Sequence, residues 1–145
     1  MYNKIKVVGR VGNDPEIRYT QTGTPFTNLS VATTRTWNQD GNKKSETTWF
    51  QVLFYGSTAE NICQYLKKGS LILVEGRILP DPKTGNPVIY KRKDGTIGAS
   101  FVIVASTVRF LSKKSDRDNE ESEIVIQSDG DIENEVMIQD MNLGH

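Results

Sequence analysis

Trp37 and Trp49 are the only tryptophans in the chain. Between them lies Asn38 to Thr48, a stretch with no large apolar residue and with Lys43 and Lys44 at its centre. Large aromatic side chains are usually well buried, so two indoles flanking a solvated basic segment call for a chemical reason. A flat ring beside a cation suits a polyanion that also exposes bare ring faces, which describes single-stranded nucleic acid. Cations follow its phosphates and aromatic side chains stack on its bases.

The aromatics Trp37, Trp49, Tyr55 and Tyr90 are interleaved with Arg35, Lys43, Lys44, Lys91, Arg92 and Lys93. Lys4, Arg18, Lys67, Lys68 and Arg77 complete the candidate phosphate contacts. Each has a bland alternative. Trp49 could be core, Lys91–Gly95 could be a solvated hairpin tip, Tyr90 an ordinary strand tyrosine, and Lys67 and Lys68 a complement to a helix end. Alternation along Thr48–Tyr55 sets Phe50, Val52 and Phe54 on one face and Trp49, Gln51, Leu53 and Tyr55 on the other. The first face is uniformly apolar and is expected inside, which turns Trp49 and Tyr55 outward. Strict alternation places Trp37 with Leu29 and Val31 on the core side, whereas a β-bulge would turn it out.

Catalysis finds little support in the residues. The acids of residues 1–112 are spread singly, apart from Asp14 and Glu16 in a turn, and the one histidine is His145. Metal or general-base chemistry needs clustered ligands. One cysteine, Cys63, allows neither an internal disulfide nor a multi-thiolate site. No cofactor and no metal is expected. The chain shows no long apolar segment of a signal peptide or membrane span, so a cytoplasmic setting is expected.

The elements that must position these residues are short. Among 145 residues the hydrophobic fraction is 36%, and 18 basic residues balance 18 acidic ones. The balance is uneven: residues 1–112 carry 15 Lys and Arg against 8 Asp and Glu, and residues 113–145 carry 3 against 10. A basic body of +7 precedes an acidic tail of −7, which fits a polyanionic partner for the body. Strands are expected at Lys4–Gly9, Glu16–Thr20, Phe26–Trp37, Thr47–Gly56, Leu71–Leu79 and Ser100–Ala105, with a basic hairpin at Val88–Gly98. One helix follows Gly56, with Ser57 as N-cap, Glu60 at N3, an apolar stripe of Ala59, Ile62, Cys63 and Leu66, and Gly69 past its end. Setting the short Glu16–Thr20 segment apart, strands with a single helix after the third fit an all-β class with one helix, a five-stranded OB-fold barrel over residues 1–112. Residues 113–145 lack aromatics and are expected to form a disordered acidic tail, with Glu123–Ile126 and Glu135–Ile138 as apolar islands.

Three segments, Asn3–Thr33, Thr47–Ile78 and Ala99–Leu111, together resemble the bacterial single-stranded DNA-binding proteins. The resemblance rests on the Gly-x-Val-Gly-x-Asp-Pro-Glu stretch from Gly9, the Trp-x-x-Val-x-Phe-Tyr-Gly segment from Trp49, and Tyr65-Leu-Lys-Lys-Gly-Ser. It implies sequence-independent binding and protection of single-stranded DNA in replication, recombination and repair, and a homotetramer built as a dimer of dimers. By the same resemblance Trp37 and Trp49 occupy stacking positions and therefore point outward, and Tyr55 takes a stacking position usually held by Phe. Tyr90 stands in for a hairpin tryptophan. Lys6 and Val8 on the first strand, and Phe50, lie at subunit contacts. Tails of the family close on Ile-Pro-Phe and recruit replication and repair proteins. This chain closes on Met141-Asn142-Leu143-Gly144-His145, so a specialised paralogue with altered recruitment is the alternative reading.

Overall fold

The computed structural model describes residues 1–111 and the backbone of a short strand at Val125–Gln127. The elements run β1 (Ile5–Val11), β2 (Arg18–Tyr19), β3 (Pro25–Gln39), β4 (Asn42–Tyr55), α1 (Ser57–Tyr65), β5 (Leu71–Ile78), β6 (Val88–Lys91), β7 (Ile97–Phe110) and β8 (Val125–Gln127). β1, β5, β7, β4 and β3 pair in that order, and β1 returns to β3 at Arg10↔Ala32 and Val11↔Val31. The circuit is a closed five-stranded barrel with one helix, the OB architecture. The remainder of the expected tail lies outside the described residues. Within the tail, Val125–Gln127 pairs with β7.

Closure demands close backbone approach. β7 carries a bulge at Ser106, the residue skipped between Glu75↔Thr107 and Gly76↔Ala105, and a Cβ on Gly76 of β5 would run into the Val104 carbonyl of β7. The bulge bends β7 along the barrel wall, and the missing side chain of Gly76 lets the two strands meet there.

Alternation fills the barrel. Val7 and Val11 of β1, Leu29 and Val31 of β3, Val52 and Phe54 of β4, Ile72 and Val74 of β5, and Val108 of β7 form one buried cluster. α1 plugs it with Ala59, Ile62 and Leu66. The expected helix is present, but its ends differ. Gly56, at φ 66, is the N-cap and no side chain caps it, so Ser57 is already helical. A glycine adopts that positive φ without a Cβ clash and turns β4 sharply into α1. The helix stops at Tyr65 because Leu66 is extended and buried, leaving Lys67 and Lys68 in the following turn.

The outer face of the β1–β5–β7 wall carries a charged triad. Lys4 and Lys6 reach Glu75 at 2.6 and 2.7 Å. The Lys4 ammonium, then Lys6, hold the Glu75 carboxyl down to about 2. A depressed carboxyl contributes stability that is complete above its unfolded value of 4.5 and is lost as pH falls through about 2. Glu75→Gln therefore removes part of the acid sensitivity. Urea midpoints followed from pH 4.5 down to pH 2 fall less steeply in the variant than in the parent protein; parallel curves would refute the pairing.

Candidate nucleic-acid interface

β3 and β4 outrun the barrel. β1 pairs with β3 only up to Ala32 and β7 pairs with β4 only from Phe50, so Thr33–Gln39 and Asn42–Thr48 continue as a free two-stranded arm. The arm is about 20 Å long at the usual rise per residue. Asp40 and Gly41 both have positive φ, 51 and 77, and close it with a two-residue turn whose twist matches the strands. The segment expected as a polar loop is thus strand on both sides of an Asp-Gly turn. Cross-strand pairs hold it. Thr34 Oγ1 lies 3.1 Å from Thr47 Oγ1, and Arg35 faces Glu46 at 3.8 Å.

The register is unbroken from Phe26↔Tyr55 to Gln39↔Asn42. No bulge turns Trp37 out. It remains on the face of Leu29 and Val31, as strict alternation dictates, but that face is open once β3 has left the barrel. Trp37 is half-buried, sits opposite Lys44, and carries the Arg35 guanidinium 5.6 Å from its ring. Trp49 sits opposite Ala32 and projects from the other face, the one that Lys43 shares. Each face of the ribbon therefore carries one indole and one lysine.

Trp49 is 54% exposed. Its inner side rests on Gly12: a Cβ built there would stand 2.7 Å from Trp49 Cζ3. Gly12 is itself pinned, its N–H donating to the Ser30 carbonyl at 2.7 Å. Next to it, Asn13 Oδ1 accepts from the Ser30 N–H at 2.8 Å. The indole thus has a rigid backbone floor and an open outer surface.

Tyr55 corrects the sequence expectation. It shares the face of Trp49, yet it is only 6% exposed and stacks on Phe26 with ring centroids 5.9 Å apart. Leu79, Val88 and Val102 close over Leu53 and Tyr55 to make a second small core. The face is exposed at Trp49 and covered from Leu53 to Tyr55, so Tyr55 is no open stacking platform. Tyr90 is half-buried against this second core, and its ring lies over Gly98, where a Cβ would stand 2.7 Å from Cζ.

The cations divide into groups. Lys43 and Lys44 are exposed on the arm, and Arg35 is engaged by Trp37 and Glu46. Arg92 folds back over Tyr90 at 5.7 Å and donates to the Ile97 carbonyl at 3.1 Å, while Lys91 and Lys93 stay exposed. Asp94 shapes that turn through Thr96, whose hydrogen bonds hold its carboxyl below the usual range. Lys67 and Lys68 are exposed, and the Lys68 main-chain N–H donates to Asp14 at 2.9 Å. Arg18 is exposed on β2 and Arg77 half-buried on β5. Lys4 is tied to Glu75 on the opposite wall and is not brought to the arm.

Sequence reasoning passed over Phe101. It is 54% exposed, is registered beside Phe50 and lies 5.9 Å from it. Phe101 extends the Phe50–Trp37 face across β7. The signal that could have found it is an aromatic breaking the run of buried residues that follows it on the same strand. Phe50 points inward as expected, though only half-buried.

Among the described residues no three His, Cys, Asp or Glu side chains gather to hold a metal, and burial pushes the Cys63 thiol up, away from a reactive thiolate. No helix among the described residues is long and apolar enough to cross a membrane.

The description of the single-strand binding protein family matches residues 2–111. Single-stranded DNA-binding protein 1 of Xylella fastidiosa (strain 9a5c) is 41% identical over 116 residues, which cover 79% of this chain and 80% of that protein. The single-stranded DNA-binding protein of Neisseria meningitidis serogroup B is 38% identical over 115 residues, covering 79% of this chain and 62% of the relative. Among solved structures, the Plasmodium falciparum SSB in complex with ssDNA superposes with a TM-score of 0.60 at 24% identity, over 77% of this chain and 96% of that one. That last likeness is one of fold. With the family matched along the whole barrel, the chain belongs to the single-strand binding protein family.

Proposed function

We propose that the protein binds single-stranded DNA without regard to sequence, and shields it during replication, recombination and repair. The observation that carries this reading is the free β3–β4 arm, with an indole and an exposed lysine on each face. Bases stack on Trp37 and Trp49 while Lys43 and Lys44 hold phosphates on their respective faces. Because the indoles project from opposite faces, a strand that meets both has to pass around the arm, which favours wrapping over a straight track. Phe101 and Phe50 offer a further apolar surface beside the Trp37 face. Lys91, Lys93 and the Lys67–Lys68 turn supply outlying charge. Relatives named single-stranded DNA-binding proteins, and a fold neighbour solved with ssDNA, support the same reading.

The assembly is proposed to be a homotetramer. Among the described residues, β1 at Ile5–Gly9 pairs with β5 alone, and Val8, 49% exposed, is registered opposite the half-buried Leu73 on the outer wall. An unpaired edge with an apolar face beside the Lys4–Glu75–Lys6 triad invites a second copy.

Titration with a thymine homopolymer at low salt quenches tryptophan emission; no quenching would sink the proposal. Trp49→Ala weakens binding by about 1–3 kcal/mol, a range to which proteins of this same family have contributed. The folded barrel persists in that variant, since the ring is exposed. Gly12→Val lifts the indole off its floor and also weakens binding, but adds little in the Trp49→Ala background; additive losses would show that Gly12 acts elsewhere. Replacing Lys43 and Lys44 with Gln lowers the slope of log K against log salt by about 0.7 per lysine. An unchanged slope would remove them from the phosphate path.

A further inference from the structure

β7 has an edge that the barrel does not use. β4 pairs with it in parallel only from Phe50↔Phe101 to Leu53↔Val104, then leaves for α1. Past Val104, β7 keeps β5 on one side, while its other side is taken by β8 through Thr107↔Gln127, Val108↔Ile126 and Arg109↔Val125. The Leu111 N–H donates to the Leu71 carbonyl at 2.9 Å. This fixes the phase: Thr107, Arg109 and Leu111 turn their main-chain groups to β5, and Val108 turns its own to β8. Val108 is itself fully buried in the barrel core, and Ile126 is registered directly opposite it.

The tail holds a second segment of the same pattern. Glu123-Ile124-Val125-Ile126-Gln127 recurs twelve residues on as Glu135-Val136-Met137-Ile138-Gln139. These contain the only runs of three apolar residues in positions 112–145, and both place isoleucine before the closing glutamine.

We propose that the β7 edge at Val108 is a strand-receiving site for the tail pattern Glu–apolar–apolar–Ile–Gln, filled at Val125–Gln127 and open to exchange with Glu135–Gln139. Main-chain pairing supplies affinity and the isoleucine position supplies selectivity, as in other additions of a strand to a sheet edge. Closing the longer loop costs little more entropy than closing the shorter one, so the two segments compete on similar terms. The exchange changes what remains free. Docking through the first segment leaves residues 128–145 with Asp129, Asp131, Glu133, Glu135 and Asp140 and no cation; docking through the second leaves residues 140–145 with Asp140 alone. The edge thus sets how much acidic chain the protein presents.

Amide hydrogen exchange of the full chain tests this, with Val108 as reporter and Arg109, bonded to β5, as control for folding. Ile126→Pro removes the N–H that donates to the Val108 carbonyl and breaks the strand pair, so the Val108 N–H loses its own acceptor; its exchange rises only in part because the second segment takes over. Ile126→Pro with Ile138→Pro raises it by a further factor of about ten or more, the loss of a cooperative strand contact, while Arg109 stays protected. A free peptide of residues 132–141 restores Val108 protection in the double variant. Val108 exchange unchanged in the double variant would overturn the docking. Equal exchange in the single and double variants would overturn the exchange of segments. Protection that grows with protein concentration would overturn docking within one chain.

Discussion

An antiparallel ladder without a bulge fixes which way each side chain points along its whole length, and the β3–β4 ladder runs unbroken from the barrel floor to the tip of the arm. One register therefore governs two environments. Within the barrel it sends Leu29, Val31, Val52 and Phe54 into the core. Beyond the barrel the same parity leaves Trp37 and Trp49 on opposite faces, outside the core. A slip of one residue would exchange core for surface along both strands, so the burial at the base holds the chemistry at the tip. The Asp40-Gly41 turn finishes the register from the other end.

The barrel supplies the complementary constraint. It can end where it does because β1 pairs with β3 only as far as Ala32 and β7 joins β4 only from Phe50. Gly12, just past β1, then sits under Trp49. The indole is clear of the core, yet it does not wave in solvent: a backbone pinned to Ser30 supports one side of the ring. A ring held on one side and open on the other loses little freedom on meeting a base, which is where pre-organisation contributes to affinity.

Much of this was legible in the sequence. Strand positions, the single helix after the third long strand, the break at Gly12–Pro15 and the inward face of Phe50, Val52 and Phe54 all follow from local pattern, because period and turn residues act over a few positions. The failures share a cause. Tyr55 was expected outward with Trp49, and its cover comes from Leu79, Val88 and Val102, remote in sequence and invisible to alternation. Trp37 needed no bulge, because openness came from the barrel stopping short. Gly56 displaced Ser57 as helix cap through a backbone turn that propensity does not encode. The arm itself was announced by Asp40-Gly41 between threonine-rich flanks, yet its charge made it look like loop. β8 had only three apolar residues in an acidic run to mark it.

The division between arm and barrel also separates binding from stability. A fully buried residue such as Phe54 is held by contacts on every side, and truncating a residue of that kind costs about 3–5 kcal/mol out of a typical 5–15. Arm residues rest on cross-strand pairs worth about 0.2–1 kcal/mol each. Changes at Trp37, Lys43, Lys44 or Trp49 can therefore alter the interface while the fold persists. Tyr55 is the exception, being both aromatic and core, so its loss would weaken the second core that also backs Tyr90. A defect in a Tyr55 variant consequently reports on packing first, and only the arm residues report on the nucleic-acid surface directly.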